Sequence, residues 1–224
     1  SVALPGLLKT MDIVLKKYGT MTLKDVAAPA IRCARNGFGT SYTGALTMYD
    51  NSVERKMRLS EAFRKLYLKE DGSFYRFGEI QKNQEIADLL ENIAEQGVDY
   101  FYKGKVAKQI VDLINDRGGC FDVSDMESYE PKFREPVKTT YRGYEVAAFA
   151  PPSGGCALVE MLNILENYDV RSMGHNTAAS IHALTESMKL GFADRSVALG
   201  DPDFVNVDVE RLTSKKFAHE RCTF

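Results

Sequence analysis

Apolar side chains recur at helical spacing through the first half of the chain. Leu7, Leu8, Met11, Leu15 and Tyr18 follow Pro5-Gly6, and Gly19 closes the run. A proline in the first helical turn loses no needed hydrogen bond, so this stretch predicts a short amphipathic helix. Thr22 with Asp25 three positions on has the form of a capping box ahead of the face Val26, Ala27, Ala30, Ile31 and Ala34, which Asn36-Gly37 ends. Pro29 inside that face implies a kink or a later true start. Residues 41–67 favour helix without a clear apolar stripe, and Glu70-Asp71-Gly72-Ser73 reads as a turn. From Asn83 onward Ile86, Leu89, Leu90, Ile93 and Ala94 form a stripe that stops at Gly97, where a left-handed cap is expected. Val106 to Arg117 repeats the pattern, with Ala107, Ile110, Val111 and Ile114 inward and Gly118-Gly119 closing it.

Beyond that point the period changes. Ser124-Asp125-Met126-Glu127 reads as another capping box, opening one short turn before Glu130-Pro131 breaks it. Pro136 to Tyr141 and Tyr144 to Phe149 are β-branched and aromatic runs around Arg142-Gly143, which predicts a hairpin. Phe149-Ala150-Pro151-Pro152 can continue neither a central strand nor a helix interior, so the chain must reverse there. Ser153-Gly154-Gly155 then leads into the stripe Leu158, Met161, Leu162 and Leu165. Asn176 is expected to cap a longer helix whose core face is Ile181, Leu184, Met188 and Phe192, terminated by Leu199-Gly200-Asp201-Pro202. A last helix is expected from Val209 to about Arg221. No internal repeat or Pro/Gly/Ser-rich linker occurs. The composition shift near Glu130 separates a mainly helical front, residues 1–130, from a hairpin-plus-helix back, 131–224, read as two layers of one predominantly helical α+β domain.

Composition narrows the functional classes. The 224 residues are 44% hydrophobic and 27% charged, within the range of ordinary globular domains. Lys and Arg number 29 against 31 Asp and Glu, a net charge of −2. The basic residues are scattered, which argues against a nucleic-acid or anionic-membrane footprint. No run approaches the roughly 18–20 apolar residues of a spanning helix, and the chain reads as soluble, with any export signal upstream of it. Cys33, Cys120, Cys156 and Cys222 are far apart, with neither a C-x-x-C pair nor a histidine at ligand spacing, so no zinc site, disulfide framework or cofactor is expected. Gly104-Lys105 lacks the upstream glycine and the Ser/Thr of a P-loop, and Gly37-Phe38-Gly39 lacks a third glycine at Tyr42.

A few residues invite a sharper chemical reading. Cys156 follows Gly154-Gly155 at a helix start, where the dipole favours a thiolate, but small-residue packing under that helix is the plainer account. Ser153, Gly154 and Gly155 are candidate substrate contacts through their backbone N–H groups, although a tight reversal also explains the glycines. His182 and Glu186 share a helical face at the spacing of a metal pair or proton relay, with no second element to complete a site, so a surface hydrogen bond is expected. Asp194-Arg195 reads as a buried structural ion pair, Asp201-Pro202-Asp203 as a turn, and Pro151-Pro152 as part of the reversal.

Several segments, in order and nearly without gaps, resemble the γ-glutamyltransferase (γ-glutamyltranspeptidase) family of N-terminal-nucleophile hydrolases. They are Ala3-Leu4-Pro5-Gly6, Lys17-Tyr18-Gly19-Thr20-Met21, Ala34-Arg35-Asn36-Gly37-Phe38, Phe101-Tyr102-Lys103-Gly104, Tyr141-Arg142-Gly143-Tyr144 and Pro151-Pro152-Ser153-Gly154-Gly155. Leu162-Asn163-Ile164-Leu165-Glu166, Ala193-Asp194-Arg195-Ser196 and Leu199 to Phe204 continue the match. The resemblance implies part of an αββα sandwich, built from a large and a small subunit that arise by self-cleavage of one precursor. It implies acyl transfer from glutathione-like γ-glutamyl donors to water, an amino acid or a peptide. The nucleophile would be a threonine at the start of the small subunit, outside this chain, whose own α-amine acts as base. An arginine that clamps the donor's α-carboxylate would precede Ser1. Ser1 then corresponds to an interior position of the large subunit and no catalytic residue is assigned in this chain. The small subunit is the implied partner, and the implied location is extracytoplasmic. The alternatives are a non-catalytic relative acting as an interaction scaffold, and an acylase or poly-γ-glutamate-processing relative.

Overall fold

A computed structural model describes residues 3–222, so Ser1 lies outside the described residues. The chain divides into two compact units, one up to Pro131 and one from Lys132.

Among the described residues the first unit holds nine helices: α1 (Leu7–Tyr18), α2 (Leu23–Asn36), α3 (Tyr42–Met48), α4 (Asn51–Leu59), α5 (Glu61–Tyr67), α6 (Gln84–Gln96), α7 (Asp99–Tyr102), α8 (Gly104–Asn115) and α9 (Val123–Ser128). Between them β1 (Phe38–Gly39) pairs antiparallel with β2 (Ile80–Gln81). Side-chain caps set most of the helix starts. Thr22 Oγ1 accepts from the Asp25 amide at 3.2 Å, and Asp25 Oδ2 accepts from the Thr22 amide at 2.9 Å. α2 therefore begins at Leu23 and runs through Pro29 rather than starting after it. The unpatterned stretch 41–67 becomes three short helices, two of them opened by the hydroxyls of Ser41 and Ser60. Asn83 caps α6, and Gly97 ends it with a φ of +85°. At α9 the capping box is made by Asp122 with Asp125, not by Ser124 with Glu127: Asp122 Oδ1 accepts from the Ser124 amide at 2.9 Å and Asp125 Oδ2 from the Asp122 amide at 2.8 Å.

The core of this unit is Tyr102, Ala107, Val111 and Met126, with Leu8 of α1 packed on its edge. α1 buries a different face from the one its stripe predicts. Leu7, Met11 and Tyr18 are exposed, while Lys9 and Asp12 are buried. The reason is a polar anchor: Lys9 Nζ donates to the Tyr129 carbonyl at 2.5 Å, pairs with Glu130 at 2.7 Å and stands 5.5 Å from the Tyr102 ring centroid. The Tyr102 hydroxyl in turn donates to the Pro5 carbonyl at 2.6 Å.

The second unit contains β3 (Val137–Tyr141), β4 (Tyr144–Ala148), α10 (Gly155–Leu165), α11 (Ala178–Ala198), α12 (Val209–Thr213) and α13 (Lys215–Arg221). β3 and β4 form the expected hairpin, in register from Val137 opposite Ala148 to Tyr141 opposite Tyr144. Arg142 and Gly143 sit at φ +50° and +86°, the positive values that a two-residue hairpin loop requires. α10 packs against both strands and all three other helices. Its burial is wider than a stripe: Cys156, Ala157, Val159, Glu160, Asn163, Ile164 and Leu165 are buried, while Leu158, expected inward, is exposed.

α11 differs most from its sequence reading. Thr177, not Asn176, is its N-cap, and Asn176 takes a left-handed φ of +52°. The face turned to α10 is made of small residues, Ala183, Ser187 and Gly191, and Ser187 Oγ donates to the Met161 carbonyl at 2.8 Å. A Cβ at Gly191 would stand 2.7 Å from Met161 Cγ, so the approach is close. The expected core face, Ile181, Leu184, Met188 and Phe192, is instead 41–52% exposed. The single helix expected from Val209 is two, because Ser214 takes an extended conformation and caps α13 through Phe217 N at 3.1 Å.

Asn163 ties these layers together: Thr139 Oγ1 on β3 donates to its Oδ1 at 2.8 Å, and its Nδ2 donates to the Thr213 carbonyl of α12 at 2.8 Å. Replacing it by alanine leaves the half-buried Thr139 hydroxyl and Thr213 carbonyl without this partner. Asn163→Ala is expected to cost about 2–3 kcal/mol in denaturant unfolding, and a loss below about 0.5 kcal/mol would show that this bridge carries little.

Candidate functional site

The reversal between β4 and α10 holds the candidate substrate contacts. Pro151 is buried, the Pro151–Pro152 peptide is cis, and the Ser153 amide donates to the Ala150 carbonyl at 3.1 Å. Gly155 follows where the backbone doubles on itself: a Cβ there would stand 2.0 Å from the Phe149 carbonyl oxygen. Gly154 is the α10 N-cap, with φ −77° and open space where a Cβ would stand, so neither strain nor crowding explains its glycine.

An open cleft of about 440 Å³ adjoins this turn, lined by Pro136, Ala147, Ala148, Phe149, Gly154, Gly155 and Leu158. Two of the three candidates, Gly154 and Gly155, thus share a wall, and Ser153 stands outside the lining. The lining side chains carry no titratable group. What the turn offers is apolar surface and the first amides of α10, whose partial positive charge suits an anionic or carbonyl oxygen.

A second, smaller cleft of about 340 Å³ brings Pro152 and Arg195 together with Phe192, Ser196, Leu199 and Gly200. Arg195 therefore does not pair with its neighbour. Asp194 is taken by Arg221 of α13 in a two-pronged contact, Nε to Oδ2 at 2.8 Å and Nη2 to Oδ1 at 3.2 Å. This corrects the expected Asp194–Arg195 pair, for a physical reason: adjacent residues on a helix point about 100° apart and rarely meet. Asp201 does form a turn, its Oδ1 accepting from the Asp203 amide at 3.0 Å. Arg134 clamps that turn from the segment ahead of β3, 3.4 Å from Asp201 and 2.9 Å from Asp203.

The remaining chemical candidates find ordinary settings. Burial raises the Cys156 thiol above its usual pKa, with a smaller contribution from the nearby Glu160 carboxyl, which is the reverse of what an activated nucleophile needs. Glu186 pairs with Lys189 at 2.8 Å, and that hydrogen bond is the main cause of its lowered pKa, with a minor contribution from the charge of His182. No group of His, Cys, Asp and Glu suited to a metal occurs among the described residues. The same residues include no helix long and apolar enough to cross a membrane.

The sequence reading missed the buried polar residues of α10. Glu160 and Asn163 stand three apart inside an otherwise apolar run from Cys156 to Leu165, and that interruption was the available signal.

Comparison with known proteins gives these features a setting. Residues 1–223 match the family model described as gamma-glutamyltranspeptidase. The chain is similar to the glutathione hydrolase proenzyme of Escherichia coli K12, 39% identical over 217 residues that cover 96% of this chain and 37% of that protein. It is also similar to the acylase ACY 1 proenzyme of Pseudomonas sp. strain SE83, 37% identical over 99% of this chain and 39% of that protein. The crystal structure of Helicobacter pylori gamma-glutamyltranspeptidase aligns with a TM-score of 0.89 at 35% identity, covering 97% of this chain and 62% of that one. This chain therefore spans less than two-fifths of the length of these two curated relatives. The helix-rich α+β fold is part of the N-terminal-nucleophile hydrolase fold of these proteins, as the resemblance implied.

The two glycines of the turn separate crowding from other roles. Gly155→Ala is expected to destabilise the protein by about 1–3 kcal/mol, because the clashing atom is backbone and cannot rotate away. Gly154→Ala is expected to change stability by less than about 0.5 kcal/mol. Equal unfolding midpoints for the two variants would overturn this account of the turn.

Proposed function

We propose, because this chain belongs to the gamma-glutamyltranspeptidase family, that it is the scaffold portion of an enzyme that transfers or hydrolyses γ-glutamyl groups of glutathione-like donors. The observation that carries the proposal is the match of residues 1–223 to the gamma-glutamyltranspeptidase family model, together with 39% identity over 217 residues to a protein named as a glutathione hydrolase proenzyme. In this reading the reacting hydroxyl belongs to an N-terminal threonine on a small subunit cut from the same precursor. That threonine would attack the γ-glutamyl carbonyl, its α-amine would take the hydroxyl proton and pass it to the departing amine as the amide C–N bond breaks, and water or an acceptor amine would then attack the ester and free the threonine hydroxyl. The buried, raised thiol of Cys156 supports a nucleophile supplied from elsewhere.

The apolar row Ile181, Leu184, Met188 and Phe192 supports the small-subunit partner. Four such side chains at helical spacing on one solvent-facing stripe are costly to leave wet, and a second polypeptide layer would cover them. The hairpin β3–β4 is a two-stranded sheet, and further strands from the partner would extend it into the sandwich. Within this proposal Gly154 and Gly155 are substrate contacts through their amides, Ser153, whose amide is held by the Ala150 carbonyl, supports the turn, and Pro151, Pro152, Asp194, Arg195, Asp201 and Pro202 shape the wall behind them. Residues 1–130 and 131–224 are then two layers of one domain, and the whole protein works outside the cytoplasm.

A second reading changes only the donor. The 37% identity to an acylase proenzyme favours amide side chains of another kind, on the same scaffold and with the same nucleophile chemistry.

The full-length protein is expected to split into two subunits on a denaturing gel and to release a γ-glutamyl chromogen. Cleavage without γ-glutamyl turnover, together with hydrolysis of a cephalosporin side-chain amide, would favour the acylase reading. Neither cleavage nor turnover would leave a non-catalytic scaffold. The 224-residue chain by itself is expected to self-associate and to bind an apolar dye. A compact monomer in scattering, with no dye signal, would count against a missing partner layer.

A further inference from the structure

Arg195 stands in the last turn of α11 and lines the smaller cleft with Pro152, Phe192, Ser196, Leu199 and Gly200. A cation at that end of a helix complements the dipole, a task that any basic residue performs. Its guanidinium makes no hydrogen bond or ion pair among the described residues. The acids nearest to it in sequence are all committed elsewhere. Asp194 takes the Arg221 fork at 2.8 and 3.2 Å, Asp201 pairs with Arg134 at 3.4 Å, and Asp203 pairs with Arg134 at 2.9 Å and also with Lys132. No acidic side chain lines the cleft, and Ser196 Oγ spends its proton on the Ala193 carbonyl at 2.7 Å. The cleft thus offers one uncompensated planar cation among the apolar walls of Pro152, Phe192 and Leu199. A guanidinium is weakly hydrated and presents two parallel donors, which suits it to a carboxylate.

The reversal between β4 and α10 contributes to both clefts, Pro152 to this one and Gly154 with Gly155 to the larger one. Pro152 and Gly154 are two positions apart, so no more than about 7 Å separates their backbones. A donor of the glutathione type carries two further residues beyond its scissile γ-glutamyl amide and ends in a free carboxylate. Those two residues, extended, also span about 7 Å.

We propose that Arg195 binds the C-terminal carboxylate of the donor's leaving peptide and so selects γ-glutamyl peptides over γ-glutamyl amides that lack this group, an inference that rests on the γ-glutamyl reading above. The scissile carbonyl lies at the amides of Gly154 and Gly155, and the leaving peptide runs past Pro152 to the guanidinium. Arg195 touches no reacting atom. Its part is to set specificity.

Two donors that differ only in the far group test this in the full-length protein: glutathione and its C-terminal amide. The wild type is expected to favour glutathione in kcat/KM by about 10- to 100-fold, the range for a charge-assisted fork, and Arg195→Ala to lose that preference. Arg195→Lys keeps the charge without the fork and is expected to fall between them. A merely structural role would slow both donors alike and leave their ratio unchanged. Phenylglyoxal labelling of Arg195, followed by mass spectrometry, needs no variant to fold, and glutathione is expected to block it where the amide does not. An unchanged ratio in R195A, or equal protection by the two donors, would overturn this inference and leave the reaction in place. Protection with no donor present would show an acidic group from the rest of the protein already seated on Arg195, and would overturn it as well. Turnover of neither donor by the wild type would overturn the γ-glutamyl reading and this inference with it.

Discussion

The second unit depends on one constraint: α10 is buried around most of its circumference, so every polar group on it must find its partner inside the protein. Cys156, Ala157, Val159, Ile164 and Leu165 supply the dry surroundings, and Glu160 and Asn163 are set among them. A buried amide or carboxyl without a partner costs more than a typical hydrogen bond returns, and this asymmetry makes such residues strict about geometry. Asn163 reaches β3 on one side and α12 on the other, and Ser187 of α11 donates to the Met161 carbonyl of α10. Three of the elements packed on α10, namely β3, α11 and α12, are thus held by specific polar contacts as well as by apolar packing.

The entry to α10 obeys the same constraint. A helix placed this deep must be reached by a tight reversal, and Gly155 lets the chain pass over the Phe149 carbonyl where any side chain would collide. The turn, the adjoining apolar cleft and the first amides of the helix are therefore one local construction. α11 is fitted from the other side through Ala183, Ser187 and Gly191, residues small enough to bring two helix backbones close. Once those small residues face inward, helical geometry turns Ile181, Leu184, Met188 and Phe192 outward. The outward apolar row is a direct consequence of how α11 meets α10, and it is the feature a partner layer would need.

In the first unit a comparable inversion occurs on a smaller scale. The periodic leucines and methionine of α1 signalled a helix, and the helix is there, but its orientation is set by Lys9, whose ammonium finds a carbonyl, a carboxylate and an aromatic face together. A buried cation tolerates few positions, whereas an apolar side chain is satisfied by many. The less forgiving group decided which face turned inward, and part of the leucine stripe was left on an open groove of about 570 Å³ shared with α2 and α6.

What could be read from the residues alone is local chemistry acting over a few positions. The Thr22–Asp25 box, the Asn83 cap, the Gly97 stop and the Arg142-Gly143 turn each need only their neighbours, and all appear in the structure. Misplaced caps at Ser124 and Asn176 lie one or two positions from the true ones, because several hydroxyl and carboxylate side chains compete there for the same free amides. The Pro151 to Gly155 reversal was legible from its prolines and glycines. Its cleft was not, since Pro136 and Ala147 arrive from a hairpin whose placement no short-range rule sets. Burial was decided by the tertiary structure alone. Periodicity shows that a helix has an apolar face, but an amphipathic pattern carries no information about whether a partner of the same chain covers it. The pairing of Asp194 with Arg221 across 27 positions, and the seclusion of Glu160 beside them, exist only because three helices converge on one another.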